Sequence, residues 1–297
     1  MVSPPRPRMP PLNSLRAFEA AARLNNISAA AAELCVTPAA VAQQVKSLEQ
    51  WAGEKLFERH ARGVELTQLG TGVLSDFSAA FDALGGAVQK LRVSASPKEV
   101  RIAALPAVAQ FFLSPRLPKI RQSLPDISIS VSALEDKPNL AREPFDLAIF
   151  YQRSEEGNGG LTVEQDAIFP VCAPSVAMRL KSVEDLAGET FLHDTTWRHD
   201  WRNWLAAATA AAAAGYDFGT PGPQFSLYSL AVEECKNGAG VMIGHQALVQ
   251  NALLEGSLVA PFALKLEQSM ELTIFSAMSI GQDGAAQQVV EMLISDN

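Results

Sequence analysis

The apolar positions of the N-terminal region follow a helical period broken at short turns. Leu15, Phe18 and Ala22 recur at steps of three and four, which predicts an amphipathic helix over 13–24 with that stripe inward. Ser28 is placed to cap a short helix over roughly 29–34. Cys35 and Val36 leave length only for a tight turn, in which Cys35 fills an apolar slot. Thr37 is placed to cap the next helix, and Pro38 stands at its first position, where a missing N–H costs nothing. That helix runs to about Gln50 or Trp51. Val41, Val45 and Leu48 form its buried stripe, while Ala39, Ala42, Gln43 and Lys46 face the other way. Two short helices around a tight turn, the second with a small and polar outer face, make a helix-turn-helix whose second helix suits a DNA major groove.

A two-stranded wing is expected over 55–66, with Arg59, Arg62 and Gly63 in it or at its tip. Thr67 then caps a long helix to about Val93. Its apolar positions Val73, Phe77, Ala80, Leu84, Ala87 and Leu91 step by four and three in turn, a heptad seam widened by Leu69, Phe81 and Val88. Such a helix needs a partner along the seam. A second copy of the chain is the economical one, and packing on its own domain is the alternative. Gly70, Gly72, Gly85 and Gly86 weaken the helix, and 94–98 is a hinge.

From Val100 the period changes. Strands are expected at 100–104, 127–131, 146–151, 165–173, 191–193, 224–226, 240–244, 258–261 and 272–276. Helices lie between them at 106–123, from 183, and at 201–214, 229–237, 246–254 and 287–294. Alternating strands and helices predict an α/β domain.

Charge sharpens this division. The 297 residues carry a net charge of −8, which looks wrong for a DNA-binding protein until it is divided: residues 1–93 sum to +2 and the remainder to −10. Cys35, Cys172 and Cys235 have no paired spacing, as expected in a reducing cytoplasm. No apolar run is long enough to span a membrane. Residues 1–9 read as a disordered Pro/Arg-rich arm rather than a secretory signal, and Met9 is an alternative start to Met1. No Gly-x-Ser-x-Gly, P-loop or Gly-x-Gly-x-x-Gly occurs, so no enzyme activity and no cofactor are expected. His193 and His199 flank Asp194 and Trp197, but without a nearby ligand cluster they read as loop or pocket groups rather than a metal site. Cys172 and Cys235 read as core; a thiol redox sensor is the alternative.

The run Leu12-Asn13-Ser14-Leu15-Arg16-Ala17-Phe18-Glu19-Ala20-Ala21-Ala22-Arg23 is followed by Ser28, Ala30-Ala31, Val36-Thr37, Ala40-Val41, Gln44-Val45, Leu48-Glu49, Gly53, Leu56-Phe57-Glu58-Arg59, Leu66-Thr67 and Gly70. Together these resemble the N-terminal domain of LysR-type transcriptional regulators, and the opening from Pro10 is similar to the glycine-cleavage activator branch. The resemblance implies an all-α winged helix-turn-helix over 10–67, a dimerising linker helix over 68–94, and an effector domain over 95–297. The last would be an α/β domain of two subdomains like a periplasmic binding protein, I over 99–167 and 262–297 and II over 168–261. It implies a cytoplasmic, ligand-responsive regulator that binds double-stranded DNA as a homodimer or homotetramer, with RNA polymerase as a further partner and no membrane. Alternatives are a relative that answers to redox or a protein, and an α/β solute-binding protein or enzyme, against which the N-terminal region argues.

Carried onto this chain, the DNA-contacting positions are Thr37, Pro38, Ala39, Ala42, Gln43, Lys46, Arg59 and Arg62. Family members usually carry Gln-x-x-x-Ser-Arg where this chain has Pro38, Ala42 and Gln43, so this helix is poorer in donors. Gln43 can reach adenine, Ala39 and Ala42 can meet thymine methyls, and Lys46 suits phosphate. Arg62 matches the wing arginine that enters the minor groove. The alternative for Pro38 and Ala39 is that they only start the helix. The effector would lie between the subdomains, touched by Leu105, Pro106, Phe150, Tyr151, Thr196, Trp197, Ser226 and Tyr228. Phe150 stands where close relatives often have arginine, so an apolar or aromatic effector is expected, or one whose carboxylate rests on the N–H groups after Pro106. For Phe150, Tyr151, Trp197 and Tyr228 a place in the core is the alternative.

Overall fold

The computed structural model describes residues 9–60, 63–96, 98–154, 159–212, 222–277 and 284–295; the expected arm before Met9 and Arg62 at the wing tip lie outside them. The chain forms two compact units that divide between Leu91 and Arg92.

The first unit contains α1 (Leu12–Arg23), α2 (Ile27–Glu33), α3 (Pro38–Ala52), the wing strands β1 (Phe57–His60) and β2 (Gly63–Leu66), and most of α4 (Gln68–Ala95). Phe18 is fully buried at its centre, edge-on to Phe57 at 5.7 Å and to Phe77 at 5.8 Å. The cap of α2 is Asn26, not Ser28. The Asn26 carboxamide accepts the N–H groups of Ser28 (2.8 Å) and Ala29 (3.1 Å), so the helix starts two residues earlier than expected. Thr37 caps α3 as expected, accepting the Ala40 N–H at 3.2 Å, and Gly53 ends it at φ +78°. Cys35 departs from expectation: the tight turn puts it at φ +53°, and the residue is exposed rather than held in an apolar slot.

Glu49 ties α3 to the wing. Its carboxylate accepts the N–H groups of Leu56 (3.0 Å) and Phe57 (3.3 Å) and pairs with Lys55 at 2.9 Å. Burial works against its charge, but Lys55 and the two N–H groups hold its pKa below the usual carboxylate value. Glu49→Ala leaves both buried N–H groups unsatisfied and is expected to destabilise the unit by about 1–3 kcal/mol. Urea unfolding of the parent and the variant checks this.

The expected seam of α4 splits in two. Val73, Leu74, Phe77 and Phe81 pack on the core of their own unit. Leu84, Val88 and Leu91, further along, are 47%, 58% and 72% exposed. Gly70 has a packing reason: a Cβ there would stand 2.4 Å from the Leu56 carbonyl.

The second unit is built on a sheet ordered β4-β3-β5-β10-β6-β9-β7-β8. Its strands are β3 (Glu99–Ala104), β4 (Ser128–Ala133), β5 (Leu147–Arg153), β6 (Leu161–Cys172), β7 (Phe191–Asp194), β8 (Gln224–Phe225), β9 (Val241–His245) and β10 (Leu266–Ser276). β3 runs parallel to β4 and β5, and β7 parallel to β8 and β9. β6 and β10 are antiparallel to their neighbours. β6 pairs with β10 up to Ile168 and with β9 from Ile168 onward. The helices are α5 (Ser114–Ser123), α6 (Pro174–Ala177), α7 (Asp200–Ala212), α8 (Tyr228–Lys236), α9 (Gln246–Leu254) and α10 (Ala285–Ser295). Val108–Leu113, which leads into α5, is a π-helix. The strand expected at 258–261 is only a single bridge, Val259 with Cys172.

Candidate functional site

The first candidate surface is the outer face of α3. Val41, Val45 and Leu48 turn inward at 7% exposure or less, which leaves Thr37, Pro38, Ala39, Gln43 and Lys46 exposed and Ala42 half-buried. The sequence places all six on this side, and the structure brings them together at its N-terminal half. Arg59 stands on β1 opposite Val64.

The second is a cleft at the carboxyl ends of β3, β4, β7 and β8, the place where open α/β sheets receive ligands. Leu105, Pro106, Thr196, Trp197, Ser226 and Tyr228 converge on it, together with Glu135. Phe150 does not. On β5 it is 5% exposed and belongs to the hydrophobic core, because neighbouring residues of a strand point to opposite faces. Tyr151 lies on the other face. Its ring meets Trp197 at 5.9 Å and His245 at 5.6 Å.

The cleft also holds a buried ionic cluster that sequence reasoning missed. His245, at the end of β9, is 3% exposed. Its Nδ1 lies 2.7 Å from Asp166 Oδ2 on β6. Its Nε2 lies 3.0 Å from Asp200 Oδ2, an ion pair that lacks hydrogen-bond geometry. Burial alone would lower the pKa of this imidazole; the hydrogen bond to Asp166 and the charge of Asp200 raise it to about 9. The ring stacks at a tilt on Trp197, 4.1 Å between centroids, an arrangement favourable to a cation over an indole.

Local structure holds each member. Asp200 opens α7, where a carboxylate suits the positive end of the helix. That helix is anchored by Trp201, which stacks on Phe191 at 4.2 Å and donates to the Leu192 carbonyl, and by fully buried Trp204, which donates to the Leu264 carbonyl. Asp194, at the end of β7, accepts the N–H groups of Thr196 (2.7 Å) and Trp197 (3.3 Å) on Oδ1 and so sets the turn that carries Trp197. Burial pushes the Asp194 carboxyl up, and burial lowers the pKa of His193, which keeps that ring neutral. Tyr228 Oη accepts the His245 N–H at 3.2 Å.

Cys172 and Cys235 are buried, and burial raises their thiols to about 11 and about 12. Thiols held protonated and enclosed are poor redox sensors. No helix among the described residues is long and apolar enough to cross a membrane.

Comparison with known proteins matches a family to each of the two units. The description "Bacterial regulatory helix-turn-helix protein, lysR family" matches residues 12–71, and "LysR substrate binding domain" matches residues 95–295. The chain is 36% identical over 262 residues to the glycine cleavage system transcriptional activator of Escherichia coli K12, covering 86% of this chain and 83% of the relative. It is 34% identical over 263 residues to the transcriptional activator AmpR of Pseudomonas aeruginosa, covering 88% and 87%. In fold, the effector domain of AmpR from Pseudomonas aeruginosa superposes with a TM-score of 0.54 at 23% identity, over 66% of this chain and 94% of that one. CrgA of Neisseria meningitidis, a LysR-type regulator, superposes with a TM-score of 0.51 at 20% identity, over 96% and 98%.

Proposed function

Since the chain belongs to the LysR family of DNA-binding transcriptional regulators, we propose that it reads its operator with the outer face of α3 and answers to a small effector in the C-terminal cleft. It works in the cytoplasm as a homodimer joined along the exposed end of α4, or as a homotetramer built of such dimers, with RNA polymerase as its downstream partner. The observation that carries the DNA reading is the sidedness of α3: one stripe closes the core, and Gln43 and Lys46 stand free for base edge and phosphate.

The two residues separate in their effects. Gln43→Ala is expected to cost about 1–3 kcal/mol of operator affinity and to relax preference at one base pair. Lys46→Ala is expected to weaken binding on all sequences alike and to reduce the salt slope by about 1. Fluorescence-anisotropy titrations on the protein's own upstream DNA, at several salt concentrations, check both. Unchanged affinity and slope in both variants would take α3 out of the interface. Arg62→Ala, between β1 and β2 in the sequence, is expected to flatten the salt dependence in the same assay.

The cleft reading rests on six residues from three separate chain segments lining one space. The space takes residues from 99–167 and from 168–261, which this reading assigns to the two halves of the effector domain, the first completed by 262–297. Closure of the halves on a ligand is how binding there shifts the oligomer on DNA.

A further inference from the structure

Trp197 and Tyr228 also form part of the wall of a second, deeper compartment, which is lined by His193, Asp194, Asp200 and His245 as well. Three buried atoms on its wall have no hydrogen-bond partner: His193 Nε2, Asp194 Oδ2 and Asp200 Oδ2. His245, more than nine-tenths buried, turns its own Nε2 to the same space without a hydrogen bond. Buried polar atoms are nearly always paired; Asp200 Oδ2 and His245 Nε2 meet only as an ion pair at 3.0 Å, and His193 Nε2 and Asp194 Oδ2 have no hydrogen bond at all, so the place calls for a partner. Charge gives the sign of that partner. Asp166, Asp194 and Asp200 face a single imidazolium, and neutral His193 adds an acceptor rather than a cation. Size restricts it further. The compartment offers about 10 Å³ for the centre of a water-sized group, which corresponds to about one such group. Among the described residues no set of His, Cys, Asp and Glu converges closely enough to hold a metal ion.

We propose that the deep compartment binds the primary ammonium group of the effector, its three N–H donors shared among Asp194 Oδ2, Asp200 Oδ2 and His193 Nε2. A primary ammonium matches a water molecule in size and has three donors and no acceptor. Trp197 and Tyr228 line the same compartment, and aromatic rings are favourable neighbours for a cation. The rest of the effector lies in the outer cleft, by Ser226 and the chain at Pro106. The inference deepens the cleft reading above and depends on it. It also replaces the apolar or carboxylate-first effector expected from Phe150 with one led by its amine.

The test uses the full-length chain and four probes at matched ionic strength: propylammonium, 1-propanol, propionate and tetramethylammonium. Propylammonium is expected to raise the melting temperature in a saturable way, as a ligand of the folded state must. The other three are expected not to, since two lack the positive charge and the last exceeds the compartment. Asp194→Asn keeps the oxygen that caps the turn, and Asp200→Asn keeps the shape of the α7 terminus. Each is expected to weaken propylammonium at least tenfold. Ser226→Trp, which fills the outer cleft without touching the cluster, is expected to block it. Saturable shifts of equal size from propionate or 1-propanol would keep the cleft and overturn the ammonium assignment. So would propylammonium binding that both Asp variants leave unchanged while Ser226→Trp abolishes it. No saturable shift from any probe, or shifts indifferent to all three substitutions, would overturn the cleft together with the assignment.

Discussion

Replacing His245 with alanine is expected to lower the unfolding free energy of the second unit by about 3–5 kcal/mol, the cost of removing one member from a buried ionic group. Asp166 and Asp200 approach the imidazole at 2.7 and 3.0 Å from two sides, and all three side chains are 13% exposed or less. Without the ring the two carboxylates face each other across a cavity with no counter-charge. Asp166 comes from β6, His245 from β9 and Asp200 from α7, so the loss is felt across three elements of the second unit. The same triad makes stability depend on pH. The folded pKa of His245 is raised to about 9 from about 6.5 unfolded, so its contribution is complete below pH about 6.5 and disappears as pH rises through about 9. Each tenfold gain in proton affinity on folding is worth about 1.4 kcal/mol, which makes the whole contribution about 3 kcal/mol. Urea unfolding followed by the fluorescence of buried Trp201 and Trp204 at pH 6, 7.5 and 9 checks both statements. The parent should lose stability over that range and the variant should not. Parallel pH curves would mean that His245 is uncharged in the fold.

Leu84→Asp is expected to halve the mass of the full-length protein on light scattering and to remove operator binding at concentrations where the parent is saturated. The reason is the outcome of packing on α4. Val73 and Phe77 are used by the core of their own unit, whereas Leu84, Val88 and Leu91 continue the same spacing with their side chains in solvent. A stripe of that kind at steps of four and three fits a matching helix, and a carboxylate buried in it has no partner. A regulator that loses its second copy also loses the second half-site of its operator. Phe77→Asp serves as the contrast. It should unfold the first unit outright, since Phe77 packs on Phe18. An unchanged mass for Leu84→Asp would place the interface elsewhere.

Much of the first unit was legible in the sequence because its determinants are local. Thr37, Pro38 and Gly53 bound α3 through hydrogen bonds and dihedrals a few residues away, and the inward stripe follows from the helical period alone. Where the local reading erred, a nearby competitor explains it. Asn26 caps better than Ser28 because its longer side chain reaches two N–H groups from outside the helix. Cys35 is exposed because the turn demands a left-handed residue there.

In the second unit, the alternation of strands and helices determined the class of the fold, and strand ends named most of the cleft. Tertiary structure alone decided which way each residue of a strand end turns: Tyr151 meets Trp197 and His245, and Phe150 lies in the core, one pleat apart. It also decided which half of the α4 stripe was spent at home. Above all it assembled Asp166, Asp194, Asp200, His193 and His245. His193 and Asp194 could be read from the chain as pocket groups, but Asp166, Asp200 and His245 carry no signal along it, since Asp166 and His245 are 79 residues apart. Local spacing reports on dihedrals and faces, which depend on a few neighbours. A buried charge cluster depends on which strands lie side by side, and the sheet order β6-β9-β7 is set by packing of the whole domain.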